Sequence, residues 1–443
     1  MVFAALALSC ALVLSCVSER QYRTSTQAQP YDPKTTNSSN AIIEVAADYT
    51  LGYVEFDDQG WLYGTNNSRN RLQIDAVTDR FAAEGETNSL LIVVFVHGWK
   101  HNASGKDQNV LMFHKVLNEL GRLEEVLSAK QHHPSRRVVG VFVGWRGLST
   151  RVEPFKELSF WDRKNTAEVV GHGAVIELLS QLEALRNQLN LKFANDIASQ
   201  QRPHAKLVIL GHSFGGDIVY SAVAPVLTER MVEDFDQACQ PQTPKTLGDL
   251  VVLINPAFEA ARFEPVQRLA ATKSFPAGTN CTLAVFTSTA DWATGLAFPI
   301  GRRLSTVFET YEDSRQRKAN ITAIGHYAPY INYTLNSLEP AATSQKTTLT
   351  TNDVPSSASA EKVLSVRSQV QTTSQRTHAT TNDLTYNFTR CQMAPTSTYI
   401  PNDPVFNVAV APAIIPDHDT IDRWIFIRFL CEFVFSFSSS GEK

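Results

Sequence analysis

The sequence has no excess of positive charge. Its 443 residues include 40 Lys and Arg against 44 Asp and Glu, which gives a formal net charge of -4 at pH 7. A protein that binds a nucleic acid backbone needs a surplus of cations to neutralise phosphates, so we expect no nucleic acid partner. Hydrophobic residues make up 43% of the chain and charged residues 19%, which excludes a wholly disordered or coiled-coil protein.

The sequence also lacks paired cysteine motifs. Its six cysteines stand at positions 10, 16, 239, 281, 391 and 431, and none forms a C-x-x-C pair. Structural zinc sites and thiol-exchange sites usually depend on such pairs, so we predict no metal site. If the protein is exported, the last four cysteines could form disulfides.

Residues 1–18 contain no charge and are rich in Leu, Val, Ala and Phe. This composition predicts an export signal or an N-terminal anchor, although the usual basic leading segment is missing. The segment Val13-Leu14-Ser15-Cys16 resembles the lipobox of bacterial lipoproteins, which implies lipidation of Cys16. A plain cleaved signal and an uncleaved anchor are the alternatives. Each predicts an exported protein, either secreted or held at the cell envelope by its N-terminus.

The rest of the chain divides by composition. Residues 19–40 are polar and predict a tether, and residues 41–89 predict N-terminal strands with a hairpin near residues 53–63. Residues 90–341 and 386–443 predict the two parts of one domain. Between them, residues 342–385 contain 18 Ser or Thr among 44, which predicts an inserted, mobile loop.

Short apolar runs rich in Val and Ile predict buried strands at Leu90 to Val96, Val138 to Val143, Leu207 to Leu210, Leu250 to Ile254, Leu283 to Phe286 and Val405 to Val410. Segments with helical periodicity separate most of these runs, and residues 421–437 predict a last packed helix. Parallel strands need crossover helices, so the alternation predicts an α/β fold with a mostly parallel central sheet and helices on both faces.

The segment Gly211-His212-Ser213-Phe214-Gly215 stands where a predicted strand ends and a helix begins. This is the G-x-S-x-G pattern of a nucleophile elbow, in which a tight turn exposes the serine hydroxyl. Bulky side chains at positions 211 and 215 would collide with the neighbouring backbone, so Gly211 and Gly215 are required by the turn. We therefore predict Ser213 as a nucleophile.

A serine nucleophile needs a histidine base and an orienting carboxylate downstream. Asp291 is the candidate acid, because it follows a predicted strand closely, whereas Asp249 precedes a strand and Glu259 lies on a helix. Two histidines follow strand-like residues, His326 and His418. The shorter separation from the acid favours His326, so the residues alone leave both open as the base.

The order of these motifs resembles the α/β-hydrolase superfamily, and within it the exported serine esterases and lipase-like proteins. The strand that ends in His97-Gly98-Trp99 carries the resemblance together with the elbow. The resemblance implies an oxyanion hole formed by the backbone N–H groups of Trp99 and Phe214. It also favours His418 as the base, because the superfamily places its histidine in a loop before a last helix.

These observations predict a serine hydrolase that cleaves carboxylic esters, with a small-molecule or lipid ester as substrate and no cofactor. Trp145, Phe155, Phe160 and Trp161 follow the second strand and could line an acyl pocket. The main alternative is a catalytically silent binding or scaffold lipoprotein of the same fold at the cell surface. A surface adhesin, suggested by the Ser/Thr-rich segment, is a further one. The substrate's acyl and alcohol groups and the oligomeric state stay open.

Overall fold

The computed structural model describes most of the chain, in the ranges 20–32, 39–63, 72–148, 155–195, 202–236, 246–272, 275, 279–339, 356–373, 384–400 and 402–438. Residues 1–19, with the predicted signal and Cys16, lie outside the described residues. No helix in the described ranges is both long enough and apolar enough to cross a membrane.

The described strands form one 12-stranded sheet, in the order β1-β2-β3-β5-β4-β6-β7-β8-β12-β9-β11-β10. The strands are β1 (Gln29–Pro30), β2 (Ile43–Val45), β3 (Tyr49–Glu55), β4 (Leu90–Val96), β5 (Arg137–Gly144), β6 (Lys206–His212), β7 (Leu250–Ile254), β8 (Leu283–Ser288), β9 (Tyr333–Ser337), β10 (Tyr386–Asn387), β11 (Cys391–Pro395) and β12 (Val405–Val410).

The sheet is mostly parallel, as the sequence predicts. Every neighbouring pair from β3 to β9 in this order is parallel. Antiparallel pairs occur towards the edges, between β2 and β3, β9 and β11, and β10 and β11. The carboxyl ends of β6, β7, β8 and β12 therefore lie at one edge, where ligands and catalytic groups of open α/β sheets gather.

Helices cover both faces of the sheet. They are α1 (Leu72–Gly85), α2 (Gln108–Gln131), α3 (Phe155–Gly171), α4 (Val175–Asn195), α5 (Phe214–Asp236), α6 (Ala260–Thr272), α7 (Phe298–Ser305), α8 (Ser314–Ile321), α9 (Ser356–Thr373) and α10 (Trp424–Phe437). Strand β4 has every residue buried and sends alternate side chains into two apolar cores. One core contains α1, α3, α4, α5 and α6, and the other contains α2, α9 and α10.

The polar segment before β2 is not a free tether over its described part. Strand β1 pairs with β2, and the side chain of Arg23 is fully buried. The guanidinium of Arg23 donates to Glu44 Oε1 at 2.7 Å and lies 3.6 Å from the centre of the Tyr53 ring. A buried cation needs such a partner, and composition alone did not show that Glu44 supplies it.

The Ser/Thr-rich segment is likewise not one continuous loop. Helix α9 occupies its middle and packs against α2 and α10, with Ala360, Val363 and Val366 buried. These side chains recur every three residues and form one apolar face, which the high Ser and Thr content obscured. Residues 340–355 and 374–383 lie outside the described residues.

Two smaller expectations differ in detail. The predicted hairpin near residues 53–63 is reduced to an antiparallel bridge between Phe56 and Leu62, because β3 pairs along its length with β5 instead. Cys281, Cys391 and Cys431 are buried free thiols, so they form no disulfide with one another.

Candidate active site

The turn between β6 and α5 holds Ser213 in a strained conformation. Its φ angle is 55°, in the left-handed region that a residue with a side chain rarely adopts. The Ser213 N–H donates to the Ile254 carbonyl at 2.9 Å, and its own carbonyl accepts from Gly216 N–H at 3.0 Å. These bonds hold the strained turn at the end of the strand, a form of strain that is common at functional sites.

The two glycines of the elbow leave no room for side chains. A Cβ atom on Gly211 would lie 2.6 Å from the Gly215 carbonyl oxygen, and one on Gly215 would lie 2.1 Å from the Val96 carbonyl oxygen. Both contacts are with backbone, which cannot rotate away. The glycines therefore allow β6, α5 and the end of β4 to approach closely around Ser213.

The structure brings together Ser213, His418 and Asp291. His418 Nε2 is 2.7 Å from Ser213 Oγ, and His418 Nδ1 is 2.8 Å from Asp291 Oδ2. The carboxylate accepts from Nδ1–H, which leaves Nε2 as the acceptor for the serine hydroxyl proton. All three side chains come from loops that follow β6, β8 and β12, which explains how residues more than 200 positions apart meet.

The electrostatics of this group suit proton transfer. Burial acts to raise the pKa of Asp291, but the hydrogen bond and charge of His418 outweigh it, so that pKa is lowered. Burial acts to lower the pKa of His418, but the hydrogen bond and charge of Asp291, with Asp419 and Asp417, raise it above 6.5. The imidazole is thus a stronger base than an ordinary histidine.

The loop that carries His418 is held by groups that sequence reasoning missed. The His418 carbonyl accepts from His212 Nε2–H and Asn255 Nδ2–H, each at 2.9 Å, and the Ile415 carbonyl accepts from Ser288 Oγ at 2.6 Å. Asn255 has a φ of 45°. An Asn at the tip of a buried strand beside the nucleophile strand is the signal that could have identified it, because Asn tolerates that conformation.

His212, the last residue of β6, is buried. Its pKa falls to about 3, chiefly because burial penalises the charged form and secondly because His418 is close. His212 therefore stays neutral. Its protonated Nε2 faces a carbonyl, which accepts only, so His212 acts on the His418 backbone and not on Ser213.

His326, the alternative base, lies on the other side of Asp291. Its Nε2 is 3.0 Å from Thr294 Oγ1, and that hydroxyl donates to Asp291 Oδ2. Since the hydroxyl has one proton, it must accept from His326 Nε2–H. Burial lowers the pKa of His326. The structure thus places His326 behind the carboxylate and away from the serine.

The loop after β4 lies against the elbow. A Cβ atom on Gly98 would be 2.7 Å from Ser213 Cβ, so the chain at Gly98 and Trp99 passes directly beside the serine. Among the described residues, no partner hydrogen-bonds to the backbone N–H of Trp99 or of Phe214, the first residue of α5. Unbonded N–H groups at a helix start attract negative charge.

His97 is a structural residue beneath this loop. Its Nε2 accepts from Trp145 N–H at 3.0 Å, and its Nδ1 donates to the Gly98 carbonyl at 2.9 Å. Burial lowers the pKa of His97 to about 4, so the ring stays neutral. Trp145 Nε1 in turn donates to the His97 carbonyl at 2.8 Å, which ties β4 to the end of β5.

An aromatic series extends from the elbow to α7. The ring of Phe160 lies 4.7 Å from that of Phe214 and 5.4 Å from that of Trp99, and Trp161 lies 5.8 Å from Phe298. Trp145 is buried under the sheet edge, and the side chain of Phe155 lies outside the described residues. A cleft of about 230 Å³ lies beside Lys100 and Trp145. Ser213, Asp291 and His418 are not among the residues that line it.

A cluster of charged residues packs against the first turn of α5. Asp217 is fully buried and accepts from Arg262 Nη1 at 2.5 Å, and burial raises its pKa to about 6 despite that guanidinium. Lys164 of α3 pairs with Glu259 at 3.1 Å in the same cluster. The sequence did not indicate this cluster, because Lys164, Asp217 and Arg262 lie on three separate helices and Glu259 lies just before the last of them.

Within the described residues, His212, His418 and Asp419 have ligand-type atoms within 4.8 Å of one another. Both ring nitrogens of His418 already face Asp291 and Ser213, and His212 donates to a carbonyl. A metal ion bound by His418 would have to displace its hydrogen bond to Asp291 or to Ser213, so the donor set fits a metal poorly.

No protein-family model matches the chain, and no curated protein matches it in sequence. Among solved structures, the chain is similar to a Trichoderma reesei cutinase in complex with a C11Y4 phosphonate inhibitor. The identity is 14%, the alignment covers 48% of this chain and 71% of the cutinase chain, and the TM-score is 0.16. A TM-score this low carries no weight, so the function must be argued from the chain's own residues.

Proposed function

We propose that this protein has an α/β-hydrolase fold and is a serine hydrolase that cleaves carboxylic esters through an acyl-enzyme. Ser213 is the nucleophile, His418 the general base and acid, and Asp291 the carboxylate that orients His418. The observation that carries the proposal is the pair of distances at His418, 2.7 Å to Ser213 Oγ and 2.8 Å to Asp291 Oδ2. This arrangement is the one that activates a serine hydroxyl.

In the first half of the reaction, Ser213 Oγ attacks the ester carbonyl carbon while its proton moves to His418 Nε2. The carbonyl oxygen becomes an oxyanion, and the N–H groups of Trp99 and Phe214 would donate to it. Removal of one such donor from a serine hydrolase typically costs about 3 kcal/mol of transition-state stabilisation. The intermediate then collapses, and His418 gives its proton to the departing alkoxide.

In the second half, a water molecule attacks the acyl-enzyme carbonyl and passes a proton to His418 Nε2. Collapse of this intermediate breaks the bond to Ser213 Oγ, which recovers the proton from His418. The carboxylic acid leaves, and the enzyme returns to its starting state. Asp291 stays ionised throughout and stabilises the imidazolium that forms in each half.

We further propose that the protein acts outside the cytoplasm, anchored through a lipidated Cys16 or secreted. The support is the uncharged segment 1–18 and the lipobox-like residues that end at Cys16. Mass spectrometry of the mature N-terminus tests this. An acylated Cys16 supports the lipoprotein, a new N-terminus without lipid supports secretion, and an intact Met1 on a cytoplasmic protein contradicts both.

Hydrolysis of p-nitrophenyl esters with short and long acyl chains tests the enzymatic proposal. We expect turnover by the wild type and its loss in Ser213→Ala, and the ratio of the two rates would separate an esterase from a lipase. Phe308→Ser, a change at a residue 96% exposed and outside the proposed machinery, is a control that should retain turnover on the short ester. A folded wild type that hydrolyses neither ester contradicts the proposal and favours a silent scaffold.

A further inference from the structure

A helical segment directly after the proposed catalytic acid presents an apolar face to solvent. It comprises a π-helical turn, Ala293–Ala297, followed by α7. Six large hydrophobic side chains on the segment 292–308 are between 49% and 96% exposed: Trp292, Leu296, Ile300, Leu304, Val307 and Phe308. Trp292, Leu296, Ile300 and Leu304 recur at intervals of four residues, so successive members are neighbours on the helical surface. Val307 and Phe308 follow in the turn after α7. These six exposed side chains are called the apolar stripe below.

The inner face of the same segment is fixed to the candidate site. Phe298 is fully buried against Trp161, and Thr294 donates to Asp291 through both its hydroxyl and its backbone N–H. Arg302 pairs with Glu259 at 2.9 Å. The exposed hydrophobic stripe therefore does not belong to a loosely attached helix, and a surface bound to it would lie beside the catalytic acid.

A small excess of positive charge accompanies the stripe, because the exposed acids Glu309, Glu312 and Asp313 offset part of the cations. Residues 298–321 contain five Arg or Lys against three Asp or Glu, whereas the whole chain has a formal net charge of -4. Helix α8 packs against α7 and exposes Arg315, Arg317 and Lys318, and α7 itself exposes Arg303. None of these four cations has an ion-pair partner among the described residues.

We propose that the face formed by the apolar stripe of residues 292–308 and these four cations docks on an anionic lipid surface. Amphipathic helices that lie in a membrane interface combine Trp, Phe and Leu on one side with Lys and Arg on the other. Exposed apolar patches of this kind mark interaction sites, and the cations favour an anionic surface over a neutral one. If the proposed function holds, this docking implies that the substrates are esters held in a lipid surface.

The fluorescence of Trp292 is sensitive to lipid contact at the stripe itself. It therefore distinguishes docking of the stripe from anchoring by the N-terminus. The full chain is used in a Ser213→Ala background, so that no lipid is cleaved. Vesicles contain equal amounts of brominated phosphatidylcholine and phosphatidylglycerol. We expect an about twofold loss of Trp292 emission, isolated as the difference from Trp292→Phe, and a much smaller loss with brominated phosphatidylcholine alone.

Substitution of the stripe should abolish this quenching. Leu304→Ser/Phe308→Ser removes two exposed side chains of the stripe, and Leu191→Ser/Val232→Ser removes two exposed apolar side chains elsewhere as the matched control. Quenching lost in the first variant and kept in the second supports the proposal. Equal quenching by neutral vesicles, no quenching of the wild type, or quenching unchanged in the stripe variant overturns it. The proposal is also overturned if the wild type is a dimer and the stripe variant is a monomer, because the stripe would then only hold two copies together.

With Ser213 intact, the same stripe variant should hydrolyse a soluble short-chain ester within about twofold of the wild-type rate. Its rate on an ester embedded in the anionic vesicles should fall about tenfold. Equal rates of the two proteins on both esters overturn the substrate class. A wild type that hydrolyses no ester at all defeats the proposed function, while the quenching result on docking stands independently.

Discussion

His418 and His326 lie on different loops, and both are linked to the Asp291 carboxylate, the first directly and the second through Thr294. His418 Nδ1 is 2.8 Å from the carboxylate itself, and its other nitrogen is 2.7 Å from Ser213 Oγ. His326 reaches the carboxylate only through the Thr294 hydroxyl, 3.0 Å from its Nε2. Asp291 raises the pKa of His418, whereas burial keeps that of His326 low.

Position in the sheet, and not distance along the chain, therefore decides which histidine lies beside Ser213. Strand β12 pairs in parallel with β8 up to Val410 and Ser288, so the loops after these two strands lie side by side. The first loop carries His418 and the second carries Asp291. His326 is closer to Asp291 in sequence, but it belongs to a short 3-10 turn before β9 and lies behind the carboxylate.

The largest effect should come from His418→Ala. Under the proposed mechanism Ser213 then has no acceptor for its proton, so kcat on a p-nitrophenyl ester should fall about a million-fold, as it does in a serine protease that loses its base. His326→Ala, measured beside it, should retain most of the activity. The reverse pattern, with activity lost in His326→Ala and kept in His418→Ala, would exchange the roles of the two histidines.

Asp291→Asn should reduce kcat about ten-thousand-fold, because the amide no longer holds the correct tautomer of His418. It should also change the pH profile. In the proposed mechanism neutral His418 is the active form, so wild-type activity should be lost as pH falls through a pKa that lies above 6.5. Removal of the carboxylate, the main cause of that raised pKa, should move this limb to lower pH. An unchanged limb in kcat/KM between about pH 5 and 8 would contradict the coupling.

Thr294→Val removes the hydroxyl that links the two histidine environments. Asp291 then loses one of its hydrogen bonds but keeps the backbone N–H of residue 294, so we expect a roughly tenfold fall in kcat. Thr289→Val, a change at an exposed threonine of the same loop, is the matched control and should leave kcat unchanged. Equal effects of the two variants would mean that the hydroxyl does not support the carboxylate.

The smallest effect should come from His326→Gln, which keeps a side-chain donor near Thr294. We expect kcat within about threefold of wild type and the same acid limb, since His418 keeps its own contacts. Steady-state kinetics across the pH range measure both. A displaced limb would show that His326 influences the pKa of His418 more strongly than the geometry indicates.

Much of the sheet could be predicted from the sequence. Six strands read as Val- and Ile-rich runs, and Leu90–Val96, Leu250–Ile254 and Val405–Val410 have the predicted bounds. Strands buried on both faces leave such a continuous pattern because every side chain must be apolar. The elbow could also be predicted, because Gly211, Ser213 and Gly215 stand at the G-x-S-x-G spacing between a strand and a helix.

The remaining features depend on contacts between distant residues. The choice between His418 and His326 needs the pairing of β12 with β8, which the residues alone do not specify. Asn255 supports the His418 loop through side-chain bonds that appear only once β7 and that loop meet. Arg23 looked like part of a polar tether, because its partner Glu44 lies 21 residues away.

Labelling by a fluorophosphonate is the most direct test of whether the Ser213 hydroxyl is activated, because the probe bonds only to a serine in that state. We expect one labelled residue, identified as Ser213 by mass spectrometry of the peptides. Labelling should be absent in Ser213→Ala, strongly slowed in His418→Ala and close to wild type in His326→Gln. A folded wild type that takes up no probe, or takes it up at a serine other than Ser213, would contradict the proposed mechanism.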